Sequence, residues 1–374
     1  MSKKYKLFSL LLLPLALLLN FIASKYPELV ETYYSLSINK FTVQILSKIS
    51  GIFPFSTYEV TVYLIFVIII IFIVKLLTTL FKNTTKLKYF LINSILNLFS
   101  TLSIAYFLFI ILWGLNYNRL PLSTTLINNY NLDKDKNISQ VNYNNNDLID
   151  LYKFLIKKTN ETRKLVLEDN NGIMKNNSDY KSLMSRAQLG YVKVTDIIPN
   201  ADGNYSKPKY VISSNLMCYT GITGIYFPFT GDANVNIAVP DIYIPSTTLH
   251  EMAHQRGYAS EDEANFIGYL ASINHPDIDF KYSGYMLALN HTASALSKVD
   301  YNALVKLNKT ISDDVRRDLA NNNNFWKKYE GKVEKVSNNF NNAYLKSNGI
   351  KEGVQSYGKM VELLLTYYKL YPEY

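Results

Sequence analysis

Apolar and polar positions divide this chain into two unlike parts. Leu7 to Ser24 is an apolar run preceded by Lys3, Lys4 and Lys6. Val60 to Val74, extended through Leu76 and Leu77, is almost pure Ile, Val, Phe and Leu, and Phe90 to Leu115 forms a third such stretch. A helix needs about 20 mainly apolar residues to cross a bilayer. The pattern therefore predicts membrane-spanning helices near residues 7–24, 58–77 and 90–115, within a membrane region covering 1–118. Trp113 fits an interfacial anchor at the end of the third span. A cleaved signal peptide competes for the first run, although no clear small-x-small cleavage site follows it.

From residue 119 to 374 the periodicity is that of a globular domain. Leu126 to Asp147 is crowded with Asn and Asp and reads as a linker or long loop. Leu148, Leu151, Tyr152, Leu155 and Ile156 recur at helical spacing, which predicts a helix over Leu148–Leu167, and Ser178–Leu189 is another. Short β-favouring runs follow at Tyr210–Ser213, Gly224–Phe229 and Asn234–Val239, separated by glycines. Pro228 favours an edge position for the second run. That run is a candidate cleft wall able to pair with an extended peptide, and an ordinary core hairpin fits the same pattern. Helices are expected over Glu261–Ile273, Tyr285–Ser297, Asp300–Leu307 and Asn323–Leu345, and the stretch from Gly353 to Tyr368 is apolar enough to pack back on the core. The fold class is mainly α with a small sheet (α+β).

Charge sets an orientation. The tail carries three lysines, and Lys75, Lys82, Lys86 and Lys88 surround the connection between spans two and three. Positive residues concentrate on the cytoplasmic side, so residues after Asn116 are expected outside the cell membrane. The net charge of +9 is spread over dispersed lysines. It suits a lipid bilayer or envelope polymers better than nucleic acid, for which no binding motif is present. The single cysteine, Cys218, excludes an intrachain disulfide and reads as a small core residue.

Against this background, His250-Glu251-Met252-Ala253-His254 spells H-E-x-x-H in a chain with only 4 histidines. Helical spacing of four puts both histidines on one face, where they can share a Zn²⁺ with Glu251 beside the open position as general base. Gly257 can end this helix in a left-handed cap, and Ser246 and Ser260 are candidate N-caps. Ser260 with Glu263 has capping-box spacing, which frees Glu261 as the third ligand. Glu263 is the alternative third ligand. Asn265, four residues after Glu261, could hold the outer nitrogen of a ligand histidine. His275 and His291 read as ordinary core or surface histidines. Tyr285 or Tyr357 could donate to an oxyanion, a weak choice among 31 tyrosines.

The E-x-x-x-N spacing resembles the glutamate helix of gluzincin metallopeptidases, which carry E-x-x-x-D; Asn265 departs from that pattern. Leu249 to Tyr258 with Glu261 to Phe266 also resembles a family of bacterial membrane proteins catalogued as domain of unknown function 3810. Further matching segments are Trp113–Tyr117, Gly221–Phe229, Ala233–Asn236 and Ala343–Lys346. The resemblance implies a zincin-like outer domain behind membrane helices and supplies no substrate. Together these readings lead to the expectation of a membrane-anchored zinc metallopeptidase acting on peptides or proteins of the cell envelope. A receptor-like protein or metal-holding scaffold without turnover is the alternative.

Overall fold

The computed structural model describes residues 3–82, 84–348 and 358–372. The expected stretch from Gly353 to Tyr368 is therefore described only from Gly358 onward, and Tyr357 lies outside the described residues. Among the described residues, three helices are long and apolar enough to cross a membrane. The first run folds as Lys3–Ser9 and Leu12–Ala23, interrupted where Pro14 offers no N–H to the Leu10 carbonyl. The other two are continuous helices, Thr57–Lys82 and Thr84–Leu112. The first and third runs are joined by buried small and polar side chains: Ser9 and Ser100 hydroxyls lie 2.6 Å apart, and Ser103 donates to the Ser9 carbonyl. Thr57–Lys82 instead has no buried residue in its apolar window, although Phe72 stacks on Phe90 of the neighbouring helix.

Between the first two runs, a wide-wound π-helix (Val30–Asn39) leads into an α-helix (Lys40–Gly51), here termed the surface helix. Its partner is a sheet. A short hairpin, β1 (Leu167–Glu168) and β2 (Met174–Lys175), stands apart from a three-stranded sheet of β3 (Lys209–Val211), β4 (Gly224–Phe227) and β5 (Asp232–Asn236), ordered β3-β5-β4. β3 runs parallel and β4 antiparallel to the central β5, so β4 is an edge strand. β5 reads Asp-Ala-Asn-Val-Asn and is buried throughout. Strand alternation sends Ala233 and Val235 into the hydrophobic core. The polar residues turn the other way and are bonded rather than solvated. Asp232 accepts from Ser50 and Thr57, and Ser56 donates to Asn234 at 2.7 Å. A buried polar row of this kind persists only when such partners exist.

The core of the second part is helical. A long central helix (Ile278–Val299) packs against Asn145–Arg163, Ile244–Gln255 and Glu261–Asn274. Asn145–Arg163 begins in a capping box of Asn144 and Asp147.

Several expectations shift. Leu126–Asp147 is not all loop: Leu122–Lys134 is a helix because Leu122 and Leu126, four apart, bury fully. Asn323–Leu345 is broken into Asp313–Lys327 and Lys332–Ser347, with Gly331 between them. Ser246 is not the N-cap of its helix, which starts at Ile244; its hydroxyl donates back to the Tyr243 carbonyl from within the first turn. Trp113 is no lipid anchor but a buried ring against Tyr226.

Candidate metal centre

The motif helix (Ile244–Gln255) owes its end to Gly257. This residue sits at φ +83° and closes the helix with two bonds, from its own N–H to the His254 carbonyl and from Tyr258 N–H to the Ala253 carbonyl. That is the pairing of a Schellman cap, in a conformation that favours glycine. The turn carries Tyr258 back over the helix, where its carbonyl meets His254 Nδ1 at 2.7 Å. With Nδ1 so engaged, Nε2 of His254 is the nitrogen left to face the site. Trp113 closes against the same ring edge-on, with centroids 5.7 Å apart.

The glutamate helix (Glu261–Asn274) then returns alongside. Its first residue brings Glu261 Oε2 to 3.3 Å from His250 Nε2 and Oε1 to 3.7 Å from His254 Nε2. Ligand atoms at the corners of a tetrahedron with zinc bonds of about 2.0–2.1 Å stand roughly 3.3 Å apart. His250, His254 and Glu261 thus present a donor set of the size and chemistry that suits zinc, and among the described residues they alone form such a cluster around the motif. Without metal, Glu261 and His254 favour each other's charged forms. Burial alone would raise the Glu261 carboxyl, but the two imidazoles facing it hold it well below the usual carboxylate range. Burial opposes a charge on His254, yet the facing Glu261 carboxylate outweighs it and lifts that ring to about 9.

Glu251 lies on the adjoining face, 3% exposed and pressed against β4. A Cβ placed on Gly224 would stand only 2.4 Å from Glu251 Oε1, so glycine makes the approach possible. The Tyr226 N–H donates to this carboxyl, and burial nevertheless pushes it up to about 7, against the pull of His250 and His254. A buried acid poised there can both take and give a proton near neutral pH.

Three expected residues sit differently. Glu263 is drawn off by a backbone group: its Oε1 accepts from Leu122 N–H at 2.7 Å, and Ser260 makes no side-chain capping bond. Asn265 bonds neither ligand histidine, since Tyr258 occupies Nδ1 of His254 and Nδ1 of His250 has no partner among the described residues. Tyr285 packs on Tyr269 rather than on the site. His291, on the central helix, is not among the clustered donors. His275 is buried in the core, bonded to the Arg186 carbonyl and stacked on Phe280. Cys218 is fully buried beside Asn236.

Motif spacing did not point to Tyr117 and Tyr344. Their hydroxyls lie 3.1 Å apart, and both phenols are raised, chiefly by burial, with the Glu261 charge adding to it. Tyr117 follows the third apolar helix and Tyr344 sits on Lys332–Ser347, so no local pattern could pair them. Yet both fall in the segments Trp113–Tyr117 and Ala343–Lys346 that carry the family resemblance. The segments Gly221–Phe229 and Ala233–Asn236 contain the two strands that pack on the motif helix, and Trp113 of the first segment meets His254.

The fold and the site define a mainly helical chain with three apolar N-terminal helices and a two-histidine, one-glutamate cluster. The chain belongs to a family described as protein of unknown function (DUF3810), whose model matches residues 34–365. No curated protein and no solved structure matches it.

Proposed function

We propose that the protein is a membrane-anchored, zinc-dependent peptidase acting at the outer face of the cell membrane. The observation that carries this reading is the placement of Glu251: a buried, near-neutral carboxyl between a two-histidine, one-glutamate donor set and the edge of β4. A purely structural metal site has no use for such a group, and it would hold a fourth protein donor, which the cluster lacks among the described residues. Zinc bound there supplies Lewis acidity toward a water and a substrate carbonyl. Glu251 takes the proton of the attacking water and returns it to the leaving amine. The free edge of β4 offers backbone groups to an extended peptide. Tyr117 and Tyr344 supply hydroxyls on the Glu261 side for charge that develops on the substrate.

The orientation rests on two arguments. Lysines flank the tail and the second connection, the pattern of a cytoplasmic side. The first connection, residues 24–56, shares hydrogen bonds with the sheet, as in Ser50 to Asp232 and Lys209 to the Ser50 carbonyl, which is consistent with both lying across the membrane from those lysines.

The test uses the full chain in lipid nanodiscs. Near-stoichiometric zinc is expected in the wild type and Glu251→Gln, and more than tenfold weaker zinc retention in His254→Ala, since losing a ligand costs at least the roughly 10–100-fold of losing a group that only orients one. Cleavage of a peptide library is expected from the wild type alone. A folded wild type without zinc overturns the metal centre. Zinc with cleavage unaffected by Glu251→Gln overturns the catalytic role.

A further inference from the structure

The surface helix has a second face left exposed among the described residues. Phe41, Ile45, Ile49 and Ile52 are 67%, 42%, 56% and 77% exposed. At 100° per residue these four fall within an arc of about 80°. Val43, Ser47 and Ser50 lie on the opposite side and are buried. That side is fastened to the second part of the chain: Ser50 donates to Asp232, Ser206 N–H donates to the Ser47 hydroxyl, and Asn204 N–H donates to Gln44 Oε1. The apolar stripe therefore faces away from the sheet by construction, and rotation to hide it would break those bonds.

What lies against the stripe follows from where the helix is strung. It stands between the end of the first apolar run at Ala23 and the start of the second at Thr57. Only residues 52–56 separate it from the second run, a link short enough to keep it near the level where that run would enter a bilayer. Lys48 borders the stripe and is exposed, placed to reach lipid phosphates while its stem lies along the apolar face. Tyr26 and Tyr33, on the lead-in, are 56% and 65% exposed, the residue type that favours the membrane–water boundary. Helices with one apolar face and a polar opposite face seat themselves in this boundary.

We propose that the surface helix lies in the interfacial zone of the outer leaflet, with Phe41, Ile45, Ile49 and Ile52 among the acyl chains. The helix then acts as a strut. β5 bonds to it on one side and packs on the motif helix on the other, so the lipid surface fixes the distance between the membrane and the metal centre. This inference rests on the reading of the three apolar runs as spans, and its test separates the two.

Nitroxide labels on single cysteines, in a Cys218→Ala background, report collision with oxygen, which partitions into lipid, and with a water-soluble nickel chelate. The sites are Phe41 and Ile49 in the stripe, Ile69 in the second span and Leu132 as an exposed control, 84% open. The full chain is placed in vesicles of phosphatidylethanolamine and phosphatidylglycerol. The expected result is an oxygen-to-nickel ratio several-fold higher at Phe41→Cys and Ile49→Cys than at Leu132→Cys, and below that at Ile69→Cys. A ratio matching Leu132→Cys, with Ile69→Cys still in lipid, overturns the proposal and leaves the spans standing. Immobile labels shielded from both reagents also overturn it, in favour of contact between protein copies. Water-like values at Ile69→Cys remove the spans and the proposal together.

Discussion

At the scale of the residue, the closest contact at the site is steric. Gly224 has no Cβ, and Glu251 uses that space. Gly224→Ala forces the carboxyl or the strand to move, at a cost of about 1–3 kcal/mol, the range for overpacking a filled interior. The same substitution in a Glu251→Ala background meets an empty space and is expected to cost far less. A double-mutant cycle on thermal stability should thus show coupling above about 0.5 kcal/mol, while independent changes would add. The two histidines were legible in the sequence because helical spacing alone brings them together. Glu263 was not: what occupies it is the Leu122 N–H, 141 residues away in sequence. Asn265 misled for a related reason. The Gly257 turn was visible, but that it would carry the Tyr258 carbonyl onto His254 was not.

At the scale of the element, the cap of the motif helix is held from outside. Arg119, six residues past Trp113, makes two bonds to Glu31 on the π-helix and a third to the Gly257 carbonyl at 2.9 Å. Arg119 and Glu31 side chains are 5% and 9% exposed. Removing one partner of a buried pair leaves the other charge stranded, which costs about 3–5 kcal/mol. Arg119→Met is expected to lower thermal stability accordingly and to weaken zinc retention, since the loosened cap carries Tyr258. Adding Glu31→Met should restore much of the stability but not the grip on the cap. Equal losses in the single and double variants would count against this account. The helices and strands themselves were largely readable from periodicity, as in Asn145–Arg163, where Leu148, Leu151, Leu155 and Ile156 mark one face. Their ties were not readable. Nothing in Glu31 or Ser50 taken locally announces a partner more than 80 residues away.

At the scale of the whole molecule, the membrane-proximal and globular parts share the site rather than divide the labour. Trp113 touches His254, Tyr117 lies within the field of Glu261, and the loop before the second apolar helix bonds to the sheet. Hydropathy made the three apolar runs plain, and lysine asymmetry gave them a direction, but neither shows that the first connection folds into the body. That packing sharpens the topology test. If residues 24–56 and the body share one side, the lysine-flanked turn between the second and third helices belongs to the other. Cys218 is buried, so an added cysteine dominates labelling. Leu132→Cys, on the exposed surface of the body, is expected to react with an impermeant maleimide on intact cells. Lys86→Cys, exposed near the start of Thr84–Leu112, should react only after permeabilisation. The reverse result would place the metal centre in the cytoplasm. It would then demand that the lysine-rich ends lie outside, against the preference of positive charge for the inner side. In the proposed orientation the site would face substrates of the envelope, and the segments that flank the apolar helices would also build its walls.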